Sequence, residues 1–495
     1  MSRVLTIGID IGTTGTKTVL LDAHQGIVAE ASREATLYSD RAGFAEADPS
    51  QWLANVTDSI RQMVREADVK PEEVRAISTS GMVPAVIPLD ASGHPLRRAI
   101  LQNDARAHVQ ITELAGQLAK LDLVALTGSA LTQQSVAPTL MWLAAHEPQV
   151  FEAMRFVVGS YDWILMALGA TPHLERNWAM ESGLFLLSGE PLHSVFAAAG
   201  LDDSILPPVV EPGTQLGSLS ASAAEACGLA AGIPLVIGGA DHVLSAFAAG
   251  VDEPGNWLIK LGGAGDILVA ADRPIVDPRL YLDAHPIPGH WLPNGCMASS
   301  GSLIRWFQSL IGGEELTELD REAAARPAAQ ILCLPYFLGE KSPLHDPELR
   351  GAFVGLHLGH TRDDMYRSVL EGIAFGFRHH TEVFRELGIE LNRAMITNGG
   401  SKSVLWKQIH AEVLGCEVYP VLNHPGASLG AAIIAAVGVG AIDGWADSRR
   451  FLHLGEPVRP DPDNVARYDE AYLEWRELGR ALEFTSHSIA RRTQS

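Results

Sequence analysis

An acidic residue interrupts an apolar segment near the start of the chain, and a turn rich in glycine and threonine follows it. Asp10 lies in the apolar run 4–11, the turn is Gly12-Thr13-Thr14-Gly15, and Lys17 comes just beyond it. A carboxylate in such a strand costs free energy unless it is paired or binds a cation, and glycines let backbone N–H groups approach an anion closely. The pattern predicts a Mg-phosphate site on a β-hairpin. An ordinary hairpin that exposes Asp10 to solvent fits the same residues.

A second acid, Asp241, follows a predicted buried strand that ends at Gly238 and Gly239. It precedes a predicted helix over 243–249, and the dipole at a helix N-terminus favours an ionised carboxylate. Taken alone, Asp241 is interpreted as a helix N-cap and the adjacent His242 as a structural histidine. The glycines leave a second interpretation open, because they allow a ligand close to the backbone beside Asp241.

The opening pattern of strand, glycine turn and strand occurs again near the middle of the chain. Residues 257–270 contain it, with Gly262-Gly263-Ala264-Gly265 at the turn. The preceding segment 250–256 has the composition of a linker. These features predict an internal duplication in an α/β chain, with domains at 1–250 and 251–495 that each carry one phosphate-facing hairpin.

Two further segments place polar residues directly after predicted strands. Gly399 and Gly400 follow the strand 394–397 and precede a helix, and this arrangement predicts a nucleotide-sized cradle. The loop Gln102-Asn103-Asp104 follows an apolar strand, where ligand-binding residues lie in α/β folds; a turn with a helix cap is the alternative. The sequence has neither the G-x-x-x-x-G-K-[ST] loop nor the G-x-G-x-x-G dinucleotide fingerprint with a strand-end acid. A bound nucleotide would therefore be held by the hairpins.

Composition favours a soluble, cytoplasmic protein that acts on a small molecule. The net charge is −22, from 37 basic and 59 acidic residues, which argues against nucleic-acid binding. The four cysteines lie far apart, so neither a disulfide framework nor a zinc site is expected from them. Asp10 breaks the first apolar segment, so we expect no signal peptide. The apolar run 429–442 is too short to span a bilayer, and no membrane partner is expected.

Taken together, these segments resemble the FGGY family of carbohydrate kinases, in the actin, Hsp70 and sugar kinase superfamily, and most closely its xylulokinase-like, pentulose-kinase branch. The resemblance extends over nearly the whole chain and depends on short motifs in the family's order: 8–15, 206–214, 238–241, 335–343, 350–356, 368–372 and 399–403. It implies two ribonuclease H-like domains that close over a central cleft holding ATP, Mg²⁺ and a small sugar. Relatives of this kind commonly form homodimers, so a homodimer is expected.

The resemblance also implies roles for individual residues. Asp241 matches the general base that takes the proton of the sugar hydroxyl, and Asp10 matches the acid that holds Mg²⁺, with Asp241 as a second acid at the metal. The ATP-binding positions are Gly12, Thr13, Thr14 and Lys17 on the first hairpin, Gly262, Gly263, Ala264 and Gly265 on the second, and Gly399, Gly400 and Ser403 against the adenosine. The candidate sugar-binding residues are Gly81, Met82, Gln102, Asn103, Asp104, Trp178, Glu181 and Asp241.

Departures from the family pattern concern mainly the sugar site. Val83 and Pro84 follow Met82 where xylulokinases typically have a Met-His pair, their Trp-Asn-Asp loop begins here with Gln102, and the usual Lys before the Leu-Leu-Trp segment is Thr139. Asp266 adds an acid beside the second hairpin, where it either alters phosphate affinity or faces away. The sequence leaves open a tetrulose, a hexulose, glycerol or another polyol as substrate. A non-transferring ATPase or binding module is the alternative from another class.

Overall fold

The computed structural model describes residues 3–494, with side chains as far as residue 492. The first half of the chain contains, in order, β1 (Leu5–Ile11), β2 (Gly15–Asp22), β3 (Gly26–Glu34), β4 (Glu46–Ala47), α1 (Pro49–Glu66), β5 (Val74–Gly81), β6 (Ile87–Leu89), β7 (Ala99–Ile100), α2 (His108–Gln117), α3 (Leu123–Thr127), α4 (Val136–His146), α5 (Pro148–Ala153), β8 (Phe156–Val158), α6 (Ser160–Leu168), β9 (Leu174–Glu175), α7 (Arg176–Glu181), α8 (His193–Ala199), β10 (Val209–Val210), β11 (Gln215–Ser218), α9 (Ala221–Cys227), β12 (Pro234–Ala240) and α10 (Asp241–Ala248).

The second half contains β13 (Trp257–Leu261), β14 (Gly265–Val269), β15 (Tyr281–Ala284), β16 (Trp291–Met297), α11 (Gly301–Leu310), α12 (Leu316–Ala324), β17 (Leu332–Leu334), β18 (Ala352–Val354), α13 (Arg362–Glu386), β19 (Ala394–Thr397), α14 (Val404–Leu414), β20 (Val418–Leu422), α15 (Ala427–Gly438), β21 (His453–Leu454) and α16 (Pro462–Gln494). A single 3₁₀ turn, Gly399–Lys402, separates β19 from α14. The predicted strand 394–397 is thus confirmed at both ends.

Two large sheets repeat one strand arrangement. The first has the order β11-β12-β5-β1-β2-β3, and the second has the order β15-β16-β14-β13-β19-β20-β21. In each sheet a hairpin (β1 with β2, or β13 with β14) lies beside two parallel strands (β5 and β12, or β19 and β20). The mixed α/β architecture predicted from the sequence is confirmed, and the repeated order is what an internal duplication produces.

The core is divided between the sheets, and small residues join the two halves. One apolar cluster covers the first sheet and another covers the second. Helix α15 of the second half packs on β1, where a Cβ at Gly8 would lie 2.0 Å from the carbonyl oxygen of Ser428. The hydroxyl of Thr6 also donates to the carbonyl of Ala432 at 2.8 Å. The apolar run 429–442 is therefore largely a buried helix between the halves, as predicted.

Helix boundaries follow the expected capping chemistry. Asp48 caps α1 by accepting from the N–H of Ser50 at 2.9 Å, and Pro49 occupies the first turn. Thr361 and Asp364 form a capping box at the start of α13. The N-cap interpretation of Asp241 is wrong by one position, because Ala240 is the N-cap and Asp241 is the first helical residue. Within residues 3–494, no helix is long and apolar enough to cross a membrane.

Candidate active site

Asp10 and Asp241 lie at the same edge of the first sheet. The parallel strands β1, β5 and β12 bring them there, with Asp10 opposite Ser80 and Ala240 opposite Gly81. Burial and, as a smaller effect, the charge of Asp241 together raise the pKa of Asp10 to about 7. The Oδ1 atom of Asp10 is buried and accepts no hydrogen bond from any described residue. Two carboxylates and an unsatisfied buried oxygen make this edge suited to a cation.

Each hairpin places a lysine opposite an aspartate. Asp10 is paired in register with Lys17 across β1 and β2, and Lys260 is paired with Asp266 across β13 and β14. The Lys260 Nζ atom lies 3.1 Å from Oδ2 of Asp266. The charge of Asp266 raises the pKa of Lys260, although burial lowers it. Asp266 therefore does not face away from the cleft; it holds the lysine in place.

Lys260 lies near both acids of the first half. Its charge lowers the pKa of Asp10, and the charge of Asp241 raises the pKa of Lys260. Lys17 also acts on Asp10, from the first hairpin. Lysines from both halves thus surround the acid pair, a combination that binds phosphate oxygens together with a metal ion. Sequence reasoning missed Lys260, although its place opposite Asp266 in the predicted hairpin was a usable signal.

The tips of the two hairpins differ in side chains. In the first, the N–H of Gly12 donates to the carbonyl of Gly15 at 2.9 Å, and the tip carries the hydroxyls of Thr13 and Thr14. The second tip, Gly262-Gly263-Ala264, has no side-chain donor. It is fixed instead by the start of α11, where the N–H of Gly301 donates to Gly262 at 2.8 Å. The second hairpin can therefore offer an anion its backbone N–H groups and, at the base of the turn, Lys260.

The predicted cradle lies at the start of α14. Gly400 lets this segment pack closely, since a Cβ there would lie 2.3 Å from the ring of Trp406 and 2.6 Å from Leu261 of the second hairpin. Ser403 caps α14 by accepting from the N–H of Trp406 at 3.0 Å, whereas Gly399 borders open space. A pocket of about 540 Å³ opens beside them, lined by residues of α12, α13, α14 and α16 that include Ser403 and Ala324. That volume suits a nucleoside.

The predicted sugar-binding residues differ from one another in burial and in hydrogen-bond partners. Gly81 ends β5 beside the first hairpin, and Met82 follows it. The N–H of Met82 donates to the carbonyl of Ile11 at 3.0 Å, and Thr13 Oγ1 lies 3.9 Å from the Met82 sulfur. Trp178 is fully buried and donates its indole N–H to the carbonyl of Ala85 at 2.8 Å. Trp178 thus belongs to the apolar core of the first half.

The loop that contains Gln102 and Asn103 forms a turn, but it supplies no helix cap, because Ala107 is the N-cap of α2 and no side chain caps that helix. Asp104 is buried, accepts from the N–H of Ala45 at 2.6 Å, and forms an ion pair with Arg106 at 2.8 Å. Asn103 is exposed, and Gln102 is half-buried with an Oε1 that has no partner among described residues. Of these three side chains, Gln102 has the polar atom that is buried and still unpaired.

A cluster of two acids and a histidine lies next to Asp241 and draws on both halves; Asp283 is buried, and Glu181 and His242 are partly exposed. Glu181 ends α7, His242 follows Asp241 in α10, and Asp283 belongs to β15 of the second sheet. The His242 Nε2 atom is 2.8 Å from Oδ2 of Asp283 and 3.8 Å from Oε1 of Glu181. Burial and the charge of Asp283 raise the pKa of Glu181 well above its usual value. Sequence reasoning predicted Glu181, took His242 as structural and missed Asp283.

Comparison with known proteins gives matches along almost the whole chain. Residues 5–248 match the N-terminal domain of the FGGY family of carbohydrate kinases, and residues 267–439 match its C-terminal domain. Xylulose kinases from Staphylococcus epidermidis and Bacillus subtilis are each 27% identical, covering 95% and 96% of this chain and 96% and 98% of their own. The crystal structure of xylulose kinase from Rhodospirillum rubrum is 40% identical, with a TM-score of 0.92 over 98% of this chain and 100% of that one.

Proposed function

The chain belongs to the FGGY family of carbohydrate kinases, for which ATP is the phosphate donor, and we propose that it transfers the γ-phosphoryl group of ATP to a hydroxyl of a pentulose such as xylulose or ribulose. The observation that carries the proposal is the position of Asp241, whose charge acts on Asp10 of the first hairpin and on Lys260 of the second. A binding module would have no need for a half-exposed acid at this point. The 40% identical xylulose kinase supports a pentulose as the acceptor.

Asp241 acts as the general base. Its carboxylate is 39% exposed and can reach a hydroxyl bound in the cleft. The sugar oxygen forms a bond to the γ-phosphorus, the bond from that phosphorus to the β,γ-bridging oxygen breaks, ADP leaves, and Asp241 takes the hydroxyl proton. Because the transition state of phosphoryl transfer is loose, alignment and charge neutralisation matter more than the strength of the base. An ionised carboxylate at a helix N-terminus is sufficient for this role.

Asp10 and Asp241 are the residues that would hold Mg²⁺. The unpartnered buried oxygen of Asp10 and the repulsion between the two carboxylates fit a divalent cation. When bound, the ion neutralises charge on the phosphate oxygens. The protein's own contribution is to place Lys17 and Lys260 near that charge, together with the tips of the two hairpins, 12–15 and 262–265.

The adenosine is proposed to occupy the 540 Å³ pocket, which Ser403 lines, with Gly399 and Gly400 of the cradle preceding Ser403 in the chain. The sugar is proposed to lie between Asp241 and the end of β5, against Gly81 and Met82. In this arrangement domain 1–250 supplies the base and the first hairpin, and domain 251–495 supplies the second hairpin and the nucleotide pocket. A homodimer and a cytoplasmic location remain part of the proposal; light scattering and cell fractionation test them.

The proposal is tested by assaying ADP release with a panel of pentuloses, tetruloses, hexuloses and polyols including glycerol, and by confirming each phosphosugar by mass. We expect a pentulose to give the highest kcat/KM. ATP hydrolysis that no sugar stimulates, with no phosphosugar formed, would contradict the proposal and favour a binding module.

A further inference from the structure

The cluster of Glu181, His242 and Asp283 contains more buried acceptors than the described residues can satisfy. Asp283 is 2% exposed, and its Oδ1 accepts no hydrogen bond from the described part of the chain. The Oε1 atom of Glu181 is also buried and accepts no hydrogen bond from the described residues, although His242 Nε2 lies 3.8 Å away. The other oxygen of Asp283 is satisfied by His242 Nε2 and by the amide of Asn294, each at 2.8 Å. Buried carboxylate oxygens of this kind favour a cation or a proton as a partner.

We propose that Glu181, His242 and Asp283 form a binding site for one divalent transition-metal ion, of the kind represented by Zn²⁺ or Co²⁺, separate from the Mg²⁺ site at Asp10. One imidazole nitrogen and two carboxylate oxygens are a donor set that suits such ions, whereas Mg²⁺ prefers oxygen ligands alone. The site would take its three ligands from α7, α10 and β15, and so from both halves of the chain.

The geometry is close to what a single ion requires. One potential ligand atom from each residue lies within 4.8 Å of the others. Ligands bound at about 2.1 Å from a common ion are at most about 4.2 Å apart. A small inward movement of the side chains therefore completes the site, and open coordination positions remain for water.

The backbone around the cluster is held firmly. The side-chain amide of Asn177 pairs with both backbone groups of Ala284, donating to the carbonyl at 3.0 Å and accepting from the N–H at 2.7 Å. This contact fixes β15 against α7, so Glu181 and Asp283 are placed together without a ligand. A bound ion would add a second link between the halves.

A second cluster offers a matched comparison. Asp346, Glu483 and His487 also bring three potential ligand atoms within 4.8 Å. There the His487 Nε2 atom pairs with Asp346 at 2.6 Å, Glu483 is exposed, and none of the three has a buried atom without a partner. The two clusters share residue types and differ in the unsatisfied buried oxygens, which is the property that the proposal depends on.

The test uses the full chain, freed of metal by a chelator and titrated with Co²⁺ without nucleotide or sugar. Calorimetry gives the stoichiometry of Co²⁺ binding. Visible absorption of the bound Co²⁺ reports its coordination, and a thiolate-to-cobalt charge-transfer band would reveal binding at a cysteine instead. Asp283→Asn and Glu181→Gln each remove one ligand. Asp10→Asn removes the predicted Mg²⁺ acid, and Asp346→Asn alters the comparison cluster. Circular dichroism and the thermal midpoint show whether each variant is folded. If Asp283→Asn does not fold, Glu181→Gln alone tests the loss of a ligand.

We expect one equivalent of Co²⁺ to bind the wild type and to raise its thermal midpoint. The affinity for Co²⁺ should be at least tenfold lower in Asp283→Asn and in Glu181→Gln. It should be unchanged in Asp10→Asn and in Asp346→Asn. Absence of stoichiometric binding to the wild type overturns the proposal. So does binding that persists in both ligand variants, or that is lost in Asp10→Asn or Asp346→Asn. If Co²⁺ does not bind and the ligand variants instead raise the KM for the sugar, the cluster recognises sugar hydroxyls. Because the titration contains no substrate, its failure leaves the kinase assignment untouched.

Discussion

The carboxylate of Asp241, on the first turn of α10, acts on the buried carboxyl of Asp10 on β1 and raises its pKa. Two acids that repel each other at the edge of a sheet are unfavourable in isolation. The lysines of both hairpins reduce that cost, and a bound cation would offset it. This pair is the relationship on which the proposed chemistry depends.

Asp10→Asn tests the proposed metal acid. We expect the variant to fold, to need a higher Mg²⁺ concentration for half-maximal activity and to lose roughly 10²-fold in kcat, because a neutral amide is a weaker ligand for a hard cation. Initial rates measured against Mg²⁺ at saturating sugar check this. Asp58→Asn, an exposed residue of α1, is the control. An unchanged Mg²⁺ dependence in Asp10→Asn would place the ion elsewhere.

Lys260→Met tests the lysine of the second hairpin. We expect kcat to fall by about 10²- to 10³-fold, since one positive charge near the transferred phosphoryl group is lost, while Lys260→Arg retains part of the activity. Lys120→Met, at an exposed position, should leave kcat unchanged. Turnover of Lys260→Met within twofold of the wild type would show that Lys260 only neutralises Asp266.

Gly400→Ala tests the packing of the nucleotide cradle. An added methyl group would meet Trp406 and Leu261 at under 3 Å, and overpacking of this kind costs roughly 1–3 kcal/mol. We expect a lower urea midpoint and a higher KM for ATP. Gly399→Ala is the matched control, because a Cβ at Gly399 meets nothing within 4 Å. Equal midpoints for the two variants would contradict the packing argument.

His285 makes stability depend on pH. Its Nε2–H donates to the carbonyl of Val251 at 2.6 Å, and its Nδ1 accepts from the N–H of Ile287 at 3.0 Å, so the folded ring is neutral. Burial lowers its pKa to about 4. Because the folded pKa lies below the unfolded value of about 6.5, this contribution to stability is complete above pH 6.5 and is lost as the pH falls toward 4.

The expected loss from His285 between pH 7.5 and pH 4.5 is on the order of 2–3 kcal/mol. His285→Gln keeps a donor for Val251 without a titrating ring, so its urea midpoint should fall less between these two pH values than that of the wild type. His24→Gln, at an exposed position, should follow the wild type. Parallel pH dependence in His285→Gln and the wild type would contradict this account.

The hairpins, the parallel strands and Asp241 could be predicted because their signals are local. Apolar runs bounded by glycines specify the strands, and parallel strands bring the residues at their ends to one edge. Lys260 was missed because its neighbour is defined by hairpin register. Asp283 was missed because β15 meets α7 and α10 only after the two halves pack together.

The sugar site was the least predictable part. Trp178 and Asp104 have residue types that suit sugar recognition, yet Trp178 is fully buried in the apolar core and Asp104 is paired with Arg106. Whether a polar side chain is free for a ligand depends on burial and on partners distant in sequence. A motif in one chain does not contain that information.

The most direct test of the central claim is the single-turnover rate of phosphoryl transfer from ATP to the preferred pentulose in Asp241→Asn. The account predicts a loss of at least about 10²-fold, and up to about 10⁴-fold, as expected for removal of a general base, with the thermal midpoint and the Kd for ADP unchanged within about threefold. Transfer at a rate close to that of the wild type would contradict the assignment of Asp241 as the base.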